Sequence, residues 1–325
     1  MRRFAFVAIL LLASACKPAP QASTDRVFVS NEASNLVFIV DGATGRIEGR
    51  LTTGARPRGM VLSGDGRTLL VAASEANRIE AWDSRTLERT RILGSGPDPE
   101  RFALSPDGKT IAIANENDGA VSFLDLASGK IGREVKVGPE PEGVTYSPDG
   151  SLVVATSELA SLAHFIDTRT GEVLASVPVG TRPRYALFLG GGRRVWVSSE
   201  QRGTISVFDT ATRRIVHTID LTDDFDIEEP VQAVEMAATK DERRVFVAMG
   251  RSNRVAEIDP ATYKLLRSFP TGFRTWGIGL SPDEKRIYAA SGLDGSLTVI
   301  DVERNRVARK VKLGGKPWGV VAVRR

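Results

Sequence analysis

Short runs of apolar and β-branched residues recur along the chain, and each ends on an aspartate. The endings are IVD at Asp41, AWD at Asp83, FLD at Asp125, FID at Asp167, VFD at Asp209, EID at Asp259 and VID at Asp301. Successive aspartates stand 42, 42, 42, 42, 50 and 42 residues apart. Seven landmarks at one period mark an internal repeat, in which each unit buries its apolar surface against the next. The one longer gap is an insertion, and it carries the acidic run 223–229, DDFDIEE.

Each unit predicts four strands, and no segment keeps a helical period over three turns. In one copy, residues 143–147 (GVTYS) form the first strand and Pro148-Asp149-Gly150 turns the chain. Proline presets φ there, and glycine is free to take positive φ. Residues 152–156, rich in β-branched side chains, form the second strand and 162–167 the third. Residues 168–171 (TRTG) turn the chain again, and 173–179 form the fourth strand. The first turn recurs as SGDG at Ser63, SPDG at Ser105 and SPDE at Ser281. A four-stranded antiparallel sheet repeated radially is a propeller blade. The expected fold is therefore all-β, a seven-bladed β-propeller spanning 26–325. Residues 26–53 supply strands two to four of one blade, and 317–324 supply one more first strand. Pairing these N-terminal strands with the C-terminal strand closes the ring and removes an exposed edge. The landmark aspartates are read as turn formers that accept backbone N–H groups.

Ahead of the repeats, residues 1–15 predict a signal peptide. Arg2 and Arg3 precede the apolar run 4–12, and Ala13-Ser14-Ala15 is a small-residue cleavage site. The run is too short to span a bilayer. The single cysteine, Cys16, follows directly, as in a bacterial lipobox, although that pattern prefers Leu where Ala13 stands. One thiol in an exported chain cannot form an internal disulfide. Lipidation at Cys16 is expected, with residues 16–25 as lipidated cysteine and flexible tether. The alternative is ordinary secretion after cleavage at Ala15. Lys17, rather than Asp, resembles the outer-membrane-retained class. The expected location is the periplasm, anchored to the membrane through Cys16, with the protein a monomer. Removing Arg2 and Arg3 from the 44 basic residues leaves 42 against 40 acidic ones. That balance excludes a concentrated basic face for nucleic acid.

The unit resembles the YVTN-type propeller repeat. The carriers are VFVSNEASNLVFIVD (27–41), VWVSSEQRGTISVFD (195–209) and IYAASGLDGSLTVID (287–301). That repeat's Gly-x-x-Pro-x-Gly link appears as GARPRG (54–59), GPEPEG (138–143) and GGKPWG (314–319). Within the family, an exported seven-repeat chain of this length resembles the β-propeller associated with PQQ-dependent catabolism. The resemblance implies a place in periplasmic alcohol oxidation, with a quinoprotein dehydrogenase, a cytochrome or a transporter component as partner. Quinoprotein dehydrogenases themselves resemble eight-bladed propellers with a tryptophan-containing repeat, so quinone binding is not expected here. The motifs speak to fold and not to chemistry.

Aligning the seven links places two rings of side chains around the central channel. The residue after the proline position is Arg58, Glu100, Glu142, Arg184, Val234, Trp276 and Trp318. The residue before it is Arg56, Asp98, Glu140, Arg182, Gln232, Arg274 and Lys316. The turn between strands two and three adds Glu32, Glu116, Glu158 and Glu200, with Ser74, Gly250 and Gly292 in the other blades. An acidic sector flanked by arginines, with Trp276 and Trp318 as an apolar wall, is the expected ligand- or partner-binding face. Solvated loop charges, with tryptophans packed between blades, are the alternative.

Catalytic signatures are missing. His164 and His217 lie in strands without metal-ligand spacing, and no nucleophile elbow, haem-attachment site or phosphate loop is present. The leading expectation is a non-catalytic binding or scaffold propeller with no cofactor. A metal-dependent lactonase is a second reading: propeller lactonases hold a metal near the channel, and Glu32, Glu116 and Glu158, with Asn115, offer oxygen ligands. A cell-envelope adhesion module is a third. The acidic insertion is read as a solvated loop rather than a Ca²⁺ site.

Overall fold

In the computed structural model, residues 25–222 and 230–325 are described. The signal segment, Cys16 and the tether, and the acidic run 223–229, lie outside the described residues. Seven four-stranded antiparallel sheets form a ring. Six are consecutive in the chain. The seventh joins the C-terminal strand Pro317–Arg324 to Asp25–Asn31, Leu36–Asp41 and Ile47–Thr52. The pairing runs from Asp25 opposite Arg324 to Val29 opposite Val320, so the termini close the ring as the repeat count required. We number this blade 1; blades 2 to 7 begin at residues 57, 99, 141, 183, 236 and 275.

Burial falls from the second and third strands of each blade to the fourth. Thr68–Ala73 (TLLVAA) is buried almost throughout, because a sheet covers each of its faces. Arg89–Gly94 (RTRILG), at the rim of the same blade, is mostly exposed. The apolar runs are therefore continuous in the middle strands and alternate at the rim. The core lies between blades. Phe28, Val37, Ile39 and Leu51 of blade 1, for example, pack on Met60, Leu69, Val71 and Trp82 of blade 2.

All seven landmark aspartates accept turn N–H groups, as the repeat predicts. Asp41 accepts from Thr44 at 2.7 Å, and Asp83, Asp125, Asp167, Asp209, Asp259 and Asp301 do the same at 2.7–3.0 Å. These bonds close the turns on the face opposite the links.

One irregularity positions the site. In six blades the inner strand slips register against the second strand just after the proline position. The slips fall between Pro57 and Met60, Pro99 and Phe102, Pro141 and Val144, Pro183 and Tyr185, Thr275 and Gly277, and opposite Val29/Asn31 for the C-terminal strand. A bulge re-aims the side chain it releases. Arg58, Glu100, Glu142, Arg184, Trp276 and Trp318 all occupy it. No helix among the described residues is long and apolar enough to cross a membrane.

Candidate functional site

At the link face the channel opens into a cavity of about 540 Å³. Arg56, Arg58, Glu142, Arg182, Arg184, Arg274, Trp276 and Trp318 line it, together with Glu32, Glu116 and Glu158. Glu100 lies behind Arg58 and is fully buried. The sequence-derived ring is therefore a real convergence of side chains.

The residues before the proline position, the first ring in chain order, leave a left-handed backbone. Arg56, Asp98, Glu140, Arg182 and Arg274 have φ between 52° and 58°. Asparagines of the preceding turn hold some of these links: Asn35, Asn77 and Asn253 accept the N–H of Arg56, Asp98 and Arg274 at 2.8–3.0 Å.

The charges are organised as two clusters. Arg58 bonds Glu100 and, at 3.1 Å, Glu32, while Arg56 bonds Asp98 at 3.2 Å. Arg184 bonds Glu142, and also reaches Glu158 and Glu200 at 2.6 Å each. Arg182 bonds Glu158 and lies 3.5 Å from Glu200. Arg58–Glu100, Arg56–Asp98 and Arg184–Glu142 are each one repeat apart, which makes them ring neighbours. Much of the lattice is inaccessible: the Arg184 side chain is 7% exposed and Arg58 14%. Trp318 lies under Arg58 at 5.5 Å, and Trp276 under Arg184 at 5.1 Å. Both tryptophans also belong to the core cluster that contains Phe246 and Ile287. They are cavity wall and core at once.

Burial perturbs the carboxyls in opposite directions. Burial and the nearby Glu142 charge raise Glu100 well above the usual carboxylate range, against the pull of Arg58. Burial would raise Glu142 too, but Arg184 and Arg58 outweigh it and hold Glu142 below that range. Burial, opposed by Arg184 and reinforced by Glu142, pushes Glu158 up to about 8. A carboxyl raised in the folded state favours folding when protonated, and that contribution is lost as pH rises through the folded value. The thermal midpoint is therefore expected to fall as pH rises from about 5 to about 8, with Glu158 accounting for on the order of 1–3 kcal/mol. Glu158→Gln should flatten most of this slope, leaving a remainder from Glu100. An unchanged slope in that variant would show that Glu158 is ionised throughout.

The three carboxylates considered for a metal do not meet. Glu32 goes to Arg58, and Glu158 goes to Arg182 and Arg184. Of the three, only Glu116 joins a cluster of three carboxylates, with oxygen atoms of Asp98, Glu100 and Glu116 within 4.8 Å of one another, while Glu158 neighbours Glu142 alone. Glu100 Oε1 and Glu116 Oε2 are buried without a hydrogen-bond partner, and the raised Glu100 carboxyl, when protonated, can donate to Glu116. Arg56 and Arg58 already balance this cluster, which fits a cation poorly. Asn115 turns away and donates to Ser122 at 2.7 Å.

The profile of the YNCE-like β-propeller family matches residues 37–150 and 226–325. The chain belongs to this family. A second profile, described as outer membrane protein assembly factor BamB, matches residues 117–273. No curated protein matches the chain in sequence. Among solved structures, it resembles the periplasmic gluconolactonase PpgL of Pseudomonas aeruginosa, with a TM-score of 0.77 and 22% identity over 92% of this chain and 99% of that one. It also resembles hydrazine synthase of Kuenenia stuttgartiensis, with a TM-score of 0.71 and 20% identity over 82% of this chain and 89% of that one. At such identities the likeness is one of fold.

This YNCE-like propeller holds a third ring that the two-ring alignment stopped short of. One residue further along the inner strands stand Gly59, Arg101, Gly143, Tyr185, Glu235, Gly277 and Gly319. The glycines let inner strands close up: a Cβ at Gly277 would lie 2.1 Å from the Trp318 carbonyl oxygen. The three larger residues fill the space left. Arg101 reaches from blade 3 to Glu235 of blade 6 at 2.8 Å, stacked on Trp318 at 4.4 Å and Tyr185 at 5.0 Å. Glu235 also accepts the Ile278 N–H at 3.1 Å. The bridge separates the mouth from a second cavity of about 550 Å³ that reaches the Gly64 and Gly108 turns. The two histidines take no part. His164 is buried between Ser176 and Ser157, with burial lowering it to about 4. His217 stacks on Tyr263 at 4.4 Å.

Proposed function

We propose that this YNCE-like propeller is a non-catalytic binding protein. It would use the channel mouth to hold a small ligand or a segment of a protein partner, as an accessory to periplasmic PQQ-dependent alcohol catabolism. One observation carries the reading. Most titratable groups of the mouth, Arg58, Arg182 and Arg184 with Glu32, Glu142 and Glu158 among them, are matched to one another as Arg–Glu pairs. No histidine, cysteine or activated hydroxyl lies among the residues that line it. A general base or nucleophile needs a neighbour that tunes it toward reaction, and these carboxylates are tied into a frame. Concave, tryptophan-walled and charged, the mouth has the attributes of a recognition site. Export and the pathway assignment rest on the resemblance of the repeats and on the N-terminal signal.

The test is affinity capture of partners from periplasm and solubilised membranes with the mature chain. Arg58 and Arg184 are too deeply held to serve as binding probes, so the matched variants are Leu159→Asp and Lys316→Glu, both at the exposed rim. Recovery of a quinoprotein dehydrogenase, its cytochrome or a transporter component with the wild type, reduced at least tenfold by a rim variant, is the expected result. A stoichiometric divalent ion after desalting, with turnover of a lactone, would replace this reading with hydrolysis. The similarity to a gluconolactonase makes that the natural competitor.

A further inference from the structure

Arg182 and Arg274 occupy the same position of the first ring, in blades 5 and 7. The Arg182 guanidinium pairs with Glu158, the turn residue of the preceding blade, and lies near Glu200, the turn residue of its own. The turn residues that correspond around Arg274 are Gly250 and Gly292. The repeat thus supplies two carboxylates to one arginine and none to the other. Arg274 has no ion-pair partner among the described residues, and its Nε, like that of Arg182, is buried without a hydrogen-bond partner. Neighbouring Lys316, which also lines the mouth, has no carboxylate partner among the described residues either. Arg274 lies on Trp276 at 4.5 Å, and the exposed Leu293 completes an apolar surround.

We propose that the gap around Arg274 is a subsite for a small organic acid. The ligand carboxylate takes the place that Glu158 and Glu200 fill around Arg182, and its apolar body lies against the exposed Leu293 at the rim. A guanidinium fork matches a carboxylate in two parallel hydrogen bonds, and apolar contact with Leu293 favours an organic anion over an inorganic one. The cavity is of a size that encloses one such molecule. This deepens the reading of the mouth as a recognition site and rests on it.

The experiment titrates the purified mature chain with benzoate, cyclohexanecarboxylate and 2-naphthoate, each against its neutral amide, by calorimetry and tryptophan fluorescence. Saturable binding of 2-naphthoate is expected with a dissociation constant below roughly 1 mM, and its amide should bind at least about tenfold more weakly. Arg274→Gln should reduce the acid's affinity about tenfold and leave the amide unchanged. Gly292→Glu restores the missing carboxylate in the chain itself. A Cβ there meets only the Pro317 carbonyl oxygen, at 3.4 Å, so this variant should fold with an unchanged or raised thermal midpoint and lose acid binding. Three results would overturn the proposal: equal affinity for acid and amide, wild-type acid binding in both variants, or no saturation by any acid up to roughly 10 mM. Acid binding through Arg274 with no captured partner would leave the subsite standing and remove the accessory role. Partner capture without acid binding would do the reverse.

Discussion

Arg184→Met should lower the unfolding free energy by about 3–5 kcal/mol. Arg184 is the shared counter-charge of Glu142, Glu158 and Glu200, whose side chains are each 5% exposed. Methionine keeps much of the volume over Trp276 but supplies no charge. Arg182 still contacts Glu158 and approaches Glu200. Glu142, held below its usual range by Arg184 and Arg58 against burial, loses its main partner. Removing one member of a buried pair costs far more than the pair itself contributes, because the other charge stays out of water. The loss should be largest at alkaline pH and shrink as acidification protonates the orphaned carboxyls. Glu142→Gln added to Arg184→Met should recover a sizeable part of it, a coupling that only touching residues show. Urea unfolding followed by tryptophan fluorescence measures all three chains. A loss below about 1 kcal/mol, the size seen for solvated pairs, would mean the cluster is hydrated and not a frame.

The second large effect concerns closure. A chain ending at residue 316 should lose more than about 5 kcal/mol, most of the margin by which such a domain stays folded. The deleted strand is the inner strand of blade 1. It buries Trp318 and Val320 and pairs with Asp25–Asn31 along nearly its whole length. Without it, that strand becomes an open sheet edge beside apolar side chains, a template for association with other chains. Size-exclusion chromatography and light scattering should find aggregates, and denaturant unfolding should lose its single sharp transition. A synthetic peptide of residues 317–325 should restore monomer in proportion to its concentration. A truncated chain that stays monomeric with a wild-type midpoint would show that the remaining six complete blades hold the ring unaided.

The architecture was legible because a period of 42 residues is a global signal that survives local ambiguity. The strand expected at 152–156 is Leu152–Ser157, and the one expected at 162–167 is Leu162–Asp167. The aspartate turns were legible for the same reason, since side chain and partner lie within three residues of each other. The mouth was legible in part. Aligned links identified which residues share a ring, so Arg58, Glu142, Trp276 and Trp318 could be brought together across the chain. Alignment carries no side-chain direction, however. It could not show that Arg58 and Arg184 turn inward to buried carboxylates, or that Glu32 and Glu158 serve arginines rather than a metal with Glu116. The Arg101–Glu235 bridge spans 134 residues and joins blades that are not neighbours. Its signal was one residue further along the same alignment, where three bulky side chains interrupt a ring of glycines.

That bridge makes the mouth a room with one door. Any ligand the mouth held would meet Arg101, stacked on Trp318 and bonded to Glu235, before the second cavity, and would leave by the way it came. Its arrival and its departure share a single gate. A partner seated on the link face would shut that gate and hold the occupant for as long as the two stayed docked. Residence time in such a molecule is set by what covers the rim as much as by the contacts within.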